Sequence, residues 1–86
     1  MDAIKILTTE QLGTLIRNTR KASGLRQDQL AGVANVGLRF VVDLERGKPT
    51  AQIGKVLQVL AILGCTLTAT LPSGLDPSSQ PDRSEP

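Results

Sequence analysis

The chain has 86 residues, ten lysines and arginines against eight aspartates and glutamates, 40% apolar residues and Phe40 as its one aromatic side chain. Without histidine and with Cys65 as the only cysteine, it offers no histidine acid–base chemistry, no zinc site and no internal disulfide. No apolar run is long enough for a membrane span, and no phosphate-cradling GxxxxGK loop is present. These exclusions favour a small cytoplasmic domain that is neither an enzyme nor a cofactor carrier. The core must be built from Leu, Ile, Val and Ala, which suits packed helices. Nine basic residues face five acidic ones between Met1 and Leu71, so the folding part is basic and leans toward nucleic acid.

In chain order, Met1 to Leu7 is a short lead whose Ile4, Ile6 and Leu7 are expected to be extended and packed. Thr8 and Gln11 stand at capping-box spacing, which starts a first helix running to about Ser23. Leu12, Leu15, Ile16, Thr19 and Ala22 form its apolar stripe, and Gly24 ends it. A short second helix, 27–34, turns Leu30, Ala31 and Ala34 inward. Asn35, among the few residues that tolerate the left-handed conformation, makes the corner. The third helix is predicted from Leu38 to Arg46, with Val41 and Leu44 inward. A fourth begins with Thr50 as cap and runs through Leu63, its stripe being Ile53, Val56, Leu57, Leu60 and Leu63. Gly54 inside that helix has no evident purpose in the sequence.

From Cys65 to Leu71 the period changes to two. Leu67, Ala69 and Leu71 alternate with Thr66, Thr68 and Thr70, the pattern of a β-strand. A single strand leaves its backbone unpaired, and pairing with its own copy about a two-fold axis is the economical solution, which predicts a homodimer. The alternative is pairing with the N-terminal lead inside one subunit. Residues 1–71 are thus expected to form the domain. Residues 72–86, with four prolines, four serines and one apolar side chain, are expected to be a disordered tail.

Two helices joined by a tight turn, with small residues between them, form a helix-turn-helix unit. The stretch GLRQDQLAGVANVGLRFVVDLERGKPT resembles the lambda-repressor-like (Xre) family at Gly24, Leu25, Gln27, Leu30, Ala31, Ala34, Val36, Val41, Leu44, Glu45 and Gly47. It departs at Arg26, Asn35 and Gly37, where the family favours a Thr or Ser cap, a corner glycine, and a Ser or Thr cap. The resemblance implies an all-α, four-to-five-helix domain whose third helix enters the major groove of DNA. Leu38, Arg39, Phe40 and Asp43 are then the candidate base-reading residues. Arg39 suits guanine O6 and N7. Phe40 would press on a thymine methyl or pack beneath the helix. Asp43 would accept from a cytosine amino group or hold Arg39 or Lys48 in place. Arg26, Gln27, Gly37, Arg46 and Lys48 flank this surface as phosphate contacts. By the same resemblance, Arg20 and Glu45 are expected to form a structural ion pair.

The layout after the helix-turn-helix unit, ERGKPTAQIGKVLQVLAILG followed by one strand and a polar tail, looks like the HipB-type antitoxins. That similarity implies a homodimer reading a palindromic, double-stranded operator and binding a HipA-like serine/threonine kinase toxin. Such a protein is cytoplasmic, nucleoid-associated when DNA-bound, with no membrane partner. A plain phage- or plasmid-type repressor without a toxin is the alternative.

Overall fold

Helix α1 (Thr9–Ala22) starts on a reciprocal cap. The Gln11 amide donates to Thr8 Oγ1 at 3.0 Å and the Thr8 amide donates to Gln11 Oε1 at 3.1 Å, satisfying two donors that the first turn leaves free. Ile16 is fully buried on its inner face, and Leu12 packs beside it, whereas Ala22 at the end of the stripe is exposed. Helix α2 (Gln27–Ala34) buries Leu30, Ala31 and Ala34. It ends at Asn35, whose φ of 58° and ψ of 45° place it in the left-handed region. The Val36 amide then donates back to the Ala31 carbonyl at 3.0 Å, closing the corner that aims helix α3 (Leu38–Glu45). Val41 and Leu44 are the buried residues of α3, and Arg46 caps its C-terminal end.

Helix α4 (Ile53–Ile62) departs from the sequence expectation in two ways. Its cap is Gln52 rather than Thr50, because Ala51 is spent on packing against the core before the helix begins. Its inner face is Val56, Val59 and Leu60, whereas Ile53 and Leu57 are 64% and 47% exposed. The described structure covers residues 2–75, and among these the four helices are the regular elements. α2 packs against α3 and α4, and α1 packs against α3. The shared core is Ile16, Leu30, Ala31, Ala34, Val41, Leu44, Val56, Val59 and Leu60. No described helix is long and apolar enough to cross a membrane.

The N-terminal lead runs along the outer side of α1. Together with Gln11, Thr14, Leu15, Asn18, Thr19 and Ala22, its Ile4, Lys5 and Ile6 line an open groove. Ile4 is 65% exposed. Among the described residues, 66–71 form no ladder with this lead. Leu67 and Leu71 stay 51% and 44% exposed in the single chain. The part of the expected tail from residue 76 onward lies outside the described residues.

Candidate nucleic-acid interface

Helix α3 has one side sunk in the core and one side open. At its N-terminal end Leu38 is half exposed and the Arg39 side chain is 80% exposed. Gly37, the N-cap, offers no side-chain cap, which leaves the first amides of α3 without an acceptor from their own cap residue. Phe40 takes the packing alternative: it lies partly buried against the core cluster, with the Lys55 ammonium 5.8 Å from its ring centroid. Lys55, on the first turn of α4, escaped the sequence reading because nothing in its local pattern ties it to α3.

Asp43 sits one turn beyond Arg39 and meets two cations. Its Oδ1 is 3.2 Å from Arg39 Nε and its Oδ2 is 3.7 Å from Lys48 Nζ. The backbone reinforces the second contact, since the Lys48 amide donates to the Asp43 carbonyl at 3.0 Å after the chain turns at Gly47. Gly47 has φ of 88°, and a Cβ there would lie 2.9 Å from Glu10 Cα, so both its conformation and its space demand glycine.

Around this centre the flanking candidates take different positions. Arg46 and Arg26 are exposed, and Arg26 Nε donates to Asp28 Oδ1 at 3.0 Å. That hydrogen bond holds the Asp28 carboxyl below its ordinary range. Its contribution to stability is present above the ordinary carboxylate pKa and is lost as pH falls through the lowered value. Gln27 is only half-exposed, and its amide Nε2 donates to Glu45 Oε1 at 3.1 Å. One hydrogen of its side-chain amide is thereby held within the protein, leaving the second and its backbone at the start of α2 to face outward partners.

Glu45 is the hub of the rigid side of α3. Arg20 Nε donates to Glu45 Oε2 at 2.6 Å, Nη2 donates to Oε1 at 3.1 Å, and Nη1 donates to the Leu25 carbonyl at 2.8 Å. The two side chains are 9% and 4% exposed. The hydrogen bonds to Glu45 raise the Arg20 pKa against the opposing effect of burial. Gly13 makes the same junction tight from the α1 side: a Cβ there would fall 2.6 Å from the Leu44 carbonyl oxygen. A glycine on the buried face of an amphipathic helix, three residues before Ile16, was the only sequence sign of this close approach.

Residues 11–71 match a family model described as a helix-turn-helix domain. The chain is 63% identical over 70 residues to an uncharacterized HTH-type transcriptional regulator, y4mF, of Sinorhizobium fredii, covering 81% of this chain and 92% of that protein. Among solved structures it resembles the HipB chain of a HipB–O4 20mer complex, with TM-score 0.73, 19% identity, and coverage of 79% of this chain and 96% of that one. The same values describe its likeness to a chain of a HipA–HipB–O2–O3 complex. At that identity the likeness establishes the fold.

Proposed function

The chain belongs to the Xre-type helix-turn-helix family of DNA-binding transcriptional regulators, and from that premise we propose that it is an antitoxin repressing its own operon. It acts as a homodimer on an inverted-repeat operator and holds a HipA-like serine/threonine kinase toxin. The observation that carries the DNA half is the division of α3, whose inner side is locked by Glu45 while Leu38 and Arg39 stand exposed. Arg39 is the principal base reader and Leu38 its apolar neighbour. Arg26, Gln27, Gly37, Arg46 and Lys48 serve the phosphates on either side. Arg39→Ala is expected to leave the thermal midpoint near wild type and to weaken operator binding by about 1–3 kcal/mol, measured by titration of promoter DNA.

The dimer half is supported by the exposed apolar side chains of Leu67 and Leu71, together with the alternation of Thr66, Thr68 and Thr70 against Leu67, Ala69 and Leu71. Residues 1–71 make the functional unit, and residues 72–86 are a tail outside it. A chain ending at Cys65 keeps the whole core and is expected to sediment as a monomer, where the full chain sediments as a dimer. A truncated chain that stays dimeric would move the interface to the exposed side of α4.

The toxin half is supported by likeness to HipB chains, one of them from a complex that includes HipA. The plain-repressor reading draws on the name of the Sinorhizobium relative, a transcriptional regulator with no toxin in it. Gentle purification of the tagged protein from its host separates the two. A stoichiometric kinase-like companion supports the antitoxin, and a dimer bringing only promoter DNA supports the repressor.

A further inference from the structure

We propose that Asp43 sets the DNA selectivity of α3 by acting through Arg39 and Lys48, without touching a base itself. The proposal rests on the reading of α3 as the DNA-facing helix. A carboxylate on a surface that meets phosphates weakens attraction to every DNA sequence alike, so its presence there needs a compensating role. The geometry supplies one. Each oxygen of Asp43 is matched to a different cation, Oδ1 to Arg39 Nε at 3.2 Å and Oδ2 to Lys48 Nζ at 3.7 Å. The Asp43 side chain is 21% exposed, the most sheltered of the three.

The contact to Arg39 runs through Nε, which leaves the two terminal nitrogens of the guanidinium to face O6 and N7 of a guanine as a fork. A long, exposed side chain oriented this way loses less freedom when it meets the base. On the other side, Lys48 is held to Asp43 by its backbone as well as its ammonium, because its amide donates to the Asp43 carbonyl at 3.0 Å. Its charge is thereby partly neutralised and contributes less to sequence-independent binding. One carboxylate thus favours the correct sequence and disfavours all others, the two halves of specificity.

Asp43→Asn in the full chain keeps the shape and removes the charge. Binding is measured to the protein's own promoter DNA and to a scrambled duplex of the same composition, across a range of salt. The expected result is tighter binding to the scrambled duplex and a promoter preference reduced on the order of tenfold. The salt slope should steepen by up to about one counterion per subunit, as the Lys48 charge that Asp43 had partly offset acts in full on its phosphate. In an Arg39→Ala background, Asp43→Asn should reduce the preference no further, since both act through one contact. A loss of promoter affinity that persists in that background would overturn the proposal and make Asp43 a base reader. An unchanged preference and slope would overturn it as well. A wild-type chain with no promoter preference would bring down the DNA reading itself, a result separate from the two above.

Discussion

Replacing Arg20 by alanine is expected to cost about 3–5 kcal/mol of folding stability. The reason lies in what remains. Glu45, with its side chain 4% exposed, would keep only the Gln27 amide as partner, and the Leu25 carbonyl would lose its Arg20 donor. A buried carboxylate without its cation is far more costly than a missing exposed pair. A domain of this size has a total stability in the range of about 5–15 kcal/mol, so the loss is a large fraction of the whole and the thermal midpoint should fall by on the order of ten degrees or more. Thermal melting followed by circular dichroism measures this directly. Arg20→Lys should recover only part of the loss, because an ammonium cannot reproduce the forked bond to Glu45 together with the bond to Leu25. The sign of the pH effect follows from the raised Arg20 pKa. The contribution of this group is fully present below the ordinary arginine value and is lost only as pH rises through the higher, folded-state value. Melting at neutral pH should therefore not depend on its titration.

Gly13→Ala should destabilise by about 1–3 kcal/mol, although alanine is the better helix former. The added methyl would meet the Leu44 oxygen at 2.6 Å and the Glu45 oxygen at 2.7 Å, and both are backbone atoms that no rotamer change can move aside. Helix α1 would have to back away from α3, which also stretches the Arg20–Glu45 contact. The same exchange at Gly54, with nothing within 4 Å, should instead gain up to about 1 kcal/mol. Urea midpoints for the two variants, at an unchanged slope, should move in opposite directions.

Helix α1 was legible from its own cap, period and stop: Thr8 with Gln11, the stripe through Leu12 and Ile16, and Gly24. Helices α2 and α3 take no side-chain cap from their N-cap residues and were legible from their inward positions and their ends at Asn35 and Gly47. Helix α4 was less legible for a physical reason. Ile53, Val56, Leu57, Val59, Leu60 and Ile62 surround it with apolar side chains, so periodicity does not choose which face turns inward. Tertiary packing chooses Val56, Val59 and Leu60. The Arg20–Glu45 pair spans 25 positions and entered through family resemblance, not local pattern. The shared use of Glu45 by Gln27 appears only once the helices are placed in space, whereas the contacts of Asp43 with Arg39, one turn away, and with Lys48 were already open as an alternative in the sequence.

The double attachment of α3 to α1, by the Gly13 contact and by the Arg20–Glu45 pair, also governs how the protein responds to heat. The helix proposed to meet DNA is thereby held along its inner side. The hydrogen-bonded amides of its second half are expected to exchange with solvent only when the core opens, whereas the first amides, uncapped at Gly37, exchange without it. Occupancy of DNA is then expected to track the folded fraction of the chain and to fall in a single cooperative step with rising temperature.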